Sequence, residues 1–123
     1  MPGPDAKLII IIDDHEDVRD SLRDLIESAG FEAQCFGSAI TFFDSDSHFE
    51  AAGLIVDIRM PNMSGLELQA RLKKEERHVP IIFITAFEDE VSQTQAMRDG
   101  AVGFLVKPFD HRVLLKILRA AIR

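Results

Sequence analysis

The stretch LIIIIDDHED, residues 8–17, is the most informative part of the chain for predicting the fold. Its five consecutive apolar residues, Leu8–Ile12, have the length of a strand, and a run without polar alternation is typical of a strand buried on both faces of a parallel sheet. Two aspartates follow at once, where such a strand would leave the core. The stretch therefore predicts a buried parallel strand that ends in acidic side chains.

Further apolar runs of strand length recur along the chain, with helical patterns between them. They are Phe31–Phe36, Leu54–Val56, Ile81–Ile84 and Val102–Val106. Strands that alternate with helices five times predict a (βα)5 chain, and right-handed crossovers then give an α/β doubly wound three-layer sandwich. We expect a parallel five-stranded sheet in the flavodoxin-like order 2-1-3-4-5.

The helical segments differ in how clearly they are marked. Ser64 with Glu67 predicts a capping box at the start of the third helix, and Asp110 is the predicted N-cap of the fifth. The fourth helical segment offers only Val91, Ala96 and Met97 for apolar contact. We therefore expect the fourth helix to be loosely anchored.

Composition limits the class of protein. With 123 residues, of which 46% are apolar, the chain fits one compact domain, predicted over 7–123 after a disordered lead-in at residues 1–6. A net charge of −7 argues against direct nucleic-acid binding. Cys35 has no second cysteine to pair with, and the run Leu8–Ile12 is too short to cross a membrane. We expect a cytoplasmic protein without a membrane segment.

Polar residues follow the apolar strands at the points where the strands end. They are Asp13 and Asp14 after the first strand, Asp57 after the third, Thr85 after the fourth and Lys107 after the fifth. The carboxyl ends of parallel strands meet at one edge of the sheet, and ligands bind there, at the point where strand order reverses. We therefore expect these five side chains to converge.

The chemistry of this set favours phosphoryl transfer. Three crowded carboxylates resist ionising together unless a cation intervenes, and an all-oxygen cluster suits Mg²⁺. The long side chain of Lys107 could reach a phosphoryl group on Asp57, and the Thr85 hydroxyl with the N–H of Ala86 could bind its oxygens. Phosphoryl transfer needs a nucleophile, a metal-binding site and groups that bind the phosphoryl oxygens, because its catalysis is mostly positioning and charge stabilisation.

These residues closely resemble the response regulator receiver family, which is CheY-like, over nearly the whole chain from Lys7 to Arg123. The motifs stand in order and at family-like spacing: Asp13-Asp14, Asp57 with Met60-Pro61 and Gly65, Thr85-Ala86, Gly100-Ala101 and Lys107-Pro108-Phe109. The segments Asp57–Pro61 and Met63–Gly65 look most like the nitrogen-fixation regulator (FixJ-like) subgroup, although the loop Ala86–Asp89 departs from that subgroup's usual one.

The resemblance implies a phosphoacceptor regulatory domain of a two-component system rather than an enzyme. Asp57 would accept the phosphoryl group from a sensor histidine kinase. Mg²⁺ would be held by Asp13, Asp14, Asp57 and the carbonyl of Arg59, and Thr85, Lys107 and the backbone of Ala86 and Ile58 would contact the phosphoryl oxygens.

The resemblance also implies how the signal would leave the site. Thr85 and Phe104 would switch the surface of the fourth helix, fifth strand and fifth helix, through which phosphorylated copies would form a homodimer. The output would be a helix-turn-helix domain or a protein target outside these residues. Arg59 and Phe87 stand two positions past Asp57 and Thr85, where they could gate the hydrolytic water.

Several alternatives stay open on the residues alone. A pseudo-receiver docking module would keep the fold without phosphorylation, but it would lack residues of the site. A haloacid-dehalogenase-like phosphatase would need Asp-x-Asp after the first strand, and an FMN module would need a phosphate loop rich in Ser, Thr and Gly there. The four histidines, at positions 15, 48, 78 and 111, are expected to be ordinary surface or loop residues. The isomer of the Lys107–Pro108 bond is left open.

Overall fold

The computed structural model describes residues 3, 5–46 and 50–122. Within them lie five strands and five helices in strict alternation. The strands are β1 (Leu8–Ile12), β2 (Glu32–Phe36), β3 (Gly53–Asp57), β4 (Ile81–Thr85) and β5 (Gly103–Val106). The helices are α1 (Glu16–Ser28), α2 (Ala39–Asp44), α3 (Gly65–Lys74), α4 (Glu90–Arg98) and α5 (His111–Ala121). The predicted disordered lead-in at residues 1–6 lies partly outside the described residues. His48 also lies outside them.

The sheet is parallel throughout and has the order β2-β1-β3-β4-β5. This confirms the predicted doubly wound sandwich. Every residue of β3 and β4 is buried, as their unbroken apolar runs predict, whereas the edge strand β2 is only half-buried. Strands β3 and β4 each extend one residue beyond the apolar run, so that Asp57 and Thr85 are their last residues.

Alternate residues of the central strands pack on opposite faces of the sheet. Ile9 and Ile11 face α1 and α5, where they meet Leu22 and Leu114 among others. The opposite face, which includes Phe83, packs against α2, α3 and α4. Burial of these side chains accounts for most of the stability, at about 25 cal/mol per Å² of apolar surface.

The helix ends follow the sequence signals. Ser64 and Glu67 form the predicted capping box of α3, and the carboxylate of Asp110 accepts the N–H of Arg112 at 2.8 Å at the start of α5. Gly30 ends the α1 segment with φ +93°, a left-handed conformation that glycine adopts at no steric cost. None of the helices in the described part of the chain combines the length and apolar character needed to cross a bilayer.

Helix α4 is held weakly, as its sequence predicts. Ala96 is its one buried residue, while Val91 and Met97 are 77% and 44% exposed. The main polar anchor comes from Gln69 of α3, whose side-chain amide donates to the carbonyl of Ala96 at 3.0 Å. A helix with so little buried surface is the one in this fold that can shift at least cost.

Candidate functional site

The polar residues predicted to converge lie together at the carboxyl edge of the sheet. Asp13 directly follows β1, Asp57 ends β3, Thr85 ends β4 and Lys107 directly follows β5. The ammonium nitrogen of Lys107 lies 3.1 Å from Oδ2 of Asp13 and 3.9 Å from Oδ2 of Asp57. The side chain of Asp13 is fully buried and that of Asp57 is 6% exposed, so the lysine balances two carboxylates that water hardly reaches.

The carboxyl of Asp57 has a raised pKa. Burial is the largest cause, and the neighbouring charge of Asp13 is the next. The ammonium of Lys107 and the backbone N–H of Arg59, which donates to Oδ1 of Asp57 at 3.3 Å, oppose the rise without cancelling it. The site therefore holds more negative charge than its own cation compensates, and a bound cation would stabilise it.

Four side chains bring ligand atoms close enough to hold such a cation. Carboxylate oxygens of Asp13, Asp14 and Asp57 and a ring nitrogen of His15 all lie within 4.8 Å of one another. Opposite ligands of an octahedral ion such as Mg²⁺ lie about 4.2 Å apart, given bonds of about 2.1 Å. The three acids predicted as metal ligands therefore fit a divalent ion after small side-chain rotations.

The position of His15 differs from expectation. Its sequence predicts an ordinary surface histidine, yet Nδ1 lies 3.1 Å from Oδ1 of Asp13 and 3.1 Å from Oδ1 of Asp14. The ring is 66% exposed but its Nδ1 faces the acids. The one signal in the sequence was that His15 directly follows the aspartate pair, which is no recognised ligand spacing.

The hydroxyl of Thr85 has backbone partners two residues further along. It accepts a hydrogen bond from the N–H of Phe87 at 3.2 Å and donates one to the carbonyl oxygen of Phe87, also at 3.2 Å. Thr85 itself is buried, at 2% exposure. To reach a phosphoryl group on Asp57, this hydroxyl would have to leave the turn that it stabilises.

The backbone groups expected to contact phosphate are not equally accessible. The N–H of Ile58 donates to the carbonyl of Ile84 at 3.0 Å and so continues the ladder between β3 and β4. This bond corrects the expectation that Ile58 offers its N–H to a ligand, because the donor is already used in the sheet. Ala86, by contrast, is exposed where the chain leaves β4.

Arg59 and Phe87, the two residues expected to gate the site, touch each other. The guanidinium carbon of Arg59 lies 4.7 Å from the centroid of the Phe87 ring, a cation–π arrangement. Phe87 is 57% exposed. The contact links the loop that follows β3 to the loop that follows β4.

Phe104 stands on β5 opposite Phe83 of β4 in the sheet register. It is half-buried and packs against the core that faces α2, α3 and α4. An aromatic ring at the margin of that core has solvent on one side and packing on the other. This placement is compatible with the predicted switch, and with a plain packing role.

Gly65 sets how closely α3 approaches the end of β3. Its N–H donates to the carbonyl of Ile58 at 2.9 Å, and a Cβ at this position would lie 2.5 Å from the carbonyl oxygen of Asp57. Any side chain at this position would push α3 away from the end of β3. On the other side of the site, the Lys107–Pro108 peptide bond is cis, which the sequence left open.

Comparison with known proteins agrees with this geometry. The family model described as "Response regulator receiver domain" matches residues 9–119. The chain belongs to the response regulator receiver domain family. The receiver domain is 40% identical over 118 residues to the response regulator protein TodT of Pseudomonas putida, covering 96% of this chain and 52% of TodT. It is 38% identical over 115 residues to the transcriptional regulatory protein FixJ of Bradyrhizobium diazoefficiens, covering 94% and 56%.

Solved structures give the same family and fold. The response regulator StyR superposes with a TM-score of 0.85 at 41% identity, over 95% of the receiver domain and 60% of that chain. The structure described as FixJ-N gives 0.85 at 35% identity, over 94% and 92%. The resemblance predicted from the motifs is therefore confirmed. The receiver domain spans about half the length of the curated relatives it matches.

Proposed function

We propose that Asp57 accepts a phosphoryl group from a histidine kinase and that the modified domain then controls an output outside these residues. Membership of a family that serves two-component signalling supports the class of function. The observation that carries the residue-level proposal is the position of Lys107, whose ammonium lies 3.1 Å from Asp13 and 3.9 Å from Asp57. A cation held between two buried acids is suited to receive a further anionic group.

The reaction needs the side chain of Asp57 in its ionised form, the carboxylate. An oxygen of Asp57 attacks phosphorus, an acyl phosphate forms, and the bond from phosphorus to the donor histidine breaks. A divalent ion supplies neutralisation of the phosphoryl and carboxylate oxygens when it is bound. Asp13 and Asp14 would hold that ion together with Asp57, and the ammonium of Lys107 would bind a phosphoryl oxygen.

The change of charge then biases the domain between two conformations. Phosphorylation replaces one negative charge on Asp57 with about two and adds acceptor oxygens. The Thr85 hydroxyl leaves the Phe87 backbone and turns to these oxygens. The ring of Phe104 then moves toward the space that Thr85 has left, and α4 shifts. A charge-assisted hydrogen bond is worth about 1.5 to 3 kcal/mol, so the active conformation already exists at about the per cent level before phosphorylation.

The α4-β5-α5 surface is the proposed output. The weak burial of α4, with Ala96 as its one buried residue, supports this choice, because a loosely held helix responds to a small bias. Control of a transcriptional output outside these residues is part of the proposal, and the similarity to FixJ, which is named a transcriptional regulatory protein, supports it. Phosphorylation-dependent dimerisation through this surface and a helix-turn-helix output domain are further parts of the proposal, which the resemblance of the motifs implies. A phosphate-independent docking module is the less supported alternative, because none of the predicted site residues is missing.

Intact mass spectrometry tests the proposal. The chain is incubated with Mg²⁺ and a small acyl-phosphate donor, and the mass is compared with that of the Asp57→Asn variant. We expect a gain of one phosphoryl group in the unmodified chain and none in the variant. A gain in both proteins would place the acceptor elsewhere, and a gain in neither would favour the docking module.

A further inference from the structure

His15 is positioned by its own backbone beside the acidic cluster. Its backbone N–H donates to Oδ1 of Asp13 at 2.8 Å, and this bond holds the backbone of His15 close to that carboxylate. His15 is also the N-cap residue of α1, yet its ring makes no capping hydrogen bond. The imidazole is therefore free of the usual local role and is directed to the acids.

The distances around Nδ1 are those of neighbouring ligands on one ion. Nδ1 lies 3.1 Å from Oδ1 of Asp13 and 3.1 Å from Oδ1 of Asp14. Adjacent ligands of an octahedral ion with bonds of about 2.1 to 2.2 Å stand about 3 Å apart. Since one ligand atom from each of Asp13, Asp14 and His15 lies within 4.8 Å of the others, one ion could contact the ring and both acids.

We propose that His15 is a nitrogen ligand of the divalent-ion site and gives it a preference for transition-metal ions over Mg²⁺. The inference rests on the proposed function, in which Asp13, Asp14 and Asp57 hold the ion. Mg²⁺ prefers oxygen and keeps its waters, whereas Co²⁺, Ni²⁺ and Cu²⁺ accept imidazole readily. A nitrogen beside three carboxylates therefore adds affinity for the second group of ions only.

An ion pair between the ring of His15 and the two acids would give the same distances, but it would have the opposite effect on metal binding. In that case His15 competes with every cation, and its removal strengthens the binding of Mg²⁺ and of transition metals alike. If His15 is a ligand, its removal weakens transition-metal binding and leaves Mg²⁺ almost unchanged. The two alternatives are therefore separated by the sign of the effect.

Calorimetric titration of the untagged chain with Co²⁺ and with Mg²⁺ measures this sign. The test variant is His15→Asn, since asparagine favours the N-cap position that His15 occupies and keeps the start of α1. His78→Asn is the control, because His78 is exposed at the loop before β4. We expect His15→Asn to lower Co²⁺ affinity by about tenfold or more, since loss even of a residue that only supports a metal ligand costs about 10- to 100-fold, and to change Mg²⁺ affinity far less.

Pulsed electron paramagnetic resonance of the chain loaded with one equivalent of Cu²⁺ gives a second readout that does not depend on affinity. We expect a coupled ¹⁴N signal that is present with His78→Asn and lost with His15→Asn. Absence of that signal in the unmodified chain, or equal Co²⁺ affinity in the His15→Asn variant, would overturn the inference while leaving the proposed function intact. If the unmodified chain binds neither Co²⁺ nor Mg²⁺, the metal seat of the proposed function fails and the inference fails with it.

Discussion

The guanidinium of Arg59 lies 4.7 Å from the ring centroid of Phe87, so the two loops that border Asp57 are joined by a cation–π contact. The backbone N–H of Arg59 donates to the Asp57 carboxylate, and the backbone of Phe87 holds the hydroxyl of Thr85. One side-chain contact thus connects a backbone partner of Asp57 with a backbone partner of Thr85.

The Arg59–Phe87 contact is expected to slow hydrolysis of the acyl phosphate by limiting access of water. An exposed cation–π contact is worth about 0.5 to 1 kcal/mol. We therefore expect Phe87→Ala to shorten the half-life of phosphorylated Asp57 about two- to fivefold. The loss of phosphate is followed by intact mass after removal of the donor, with Val91→Ala on the exposed face of α4 as control. An unchanged half-life would remove Phe87 from the gating of water.

Thr85→Ala should separate phosphorylation from the switch. The variant keeps Asp57, Asp13 and Lys107, so we expect it to gain the phosphoryl group. Without the hydroxyl, the active conformation loses a charge-assisted hydrogen bond worth about 1.5 to 3 kcal/mol, and the amide chemical shifts of α4 and β5 should change little on phosphorylation. Thr85→Ser retains the hydroxyl and serves as control. Full shift changes in Thr85→Ala would show that the hydroxyl is dispensable.

Asp57→Asn should stabilise the chain in the absence of metal. Burial and Asp13 raise the pKa of Asp57 in the folded state, so ionisation of this group favours unfolding as the pH rises through and above its unfolded pKa. A neutral amide removes that penalty at neutral pH, and we therefore expect a higher Tm for the variant. Exposed Asp24→Asn is the control. Equal or lower Tm in Asp57→Asn would contradict the raised pKa.

Gly65→Ala should damage both folding and phosphorylation. The added Cβ would lie 2.5 Å from the carbonyl oxygen of Asp57. This oxygen belongs to the backbone, which cannot move aside as the end of a flexible side chain can. We expect a loss of about 1 to 3 kcal/mol in the free energy of unfolding, as for other overpacked sites, measured by denaturant titration. Gly37→Ala is the matched control, since its Cβ would meet only Arg19, at 3.4 Å. Equal stability of the two variants would be the contrary outcome.

Acid should loosen the first turn of α4. The hydroxyl and N–H of Ser92 and the N–H of Val91 hold the pKa of the Asp89 carboxyl below its ordinary value of 3.8. A depressed pKa stabilises the folded state above the unfolded value, and this contribution is lost as the pH falls through the folded pKa. Titration of the Ser92 amide shift by NMR should give a midpoint below 3.8, absent in Asp89→Asn. A midpoint above 3.8 would refute this.

The sequence came close to the fold because its signals are local. Unbroken apolar runs such as Leu8–Ile12 and Ile81–Ile84 specify buried parallel strands with little ambiguity, and the Ser64–Glu67 pair marks a helix start wherever it occurs. The strand ends then place Asp13, Asp57, Thr85 and Lys107 at one edge by topology alone. The weak anchoring of α4 was likewise readable from its lack of apolar residues.

What the sequence by itself determined is therefore which residues meet, since strand order and period follow from the pattern of apolar and polar residues. Only the tertiary structure decided how they are paired: the hydroxyl of Thr85 to Phe87, the N–H of Ile58 to Ile84, and the ring of His15 to the aspartates. A side-chain or backbone donor chooses among several acceptors within reach, and that choice depends on distances of a few tenths of an ångström between strands and loops. Those distances are set by the packing of the whole domain and by no single segment of it.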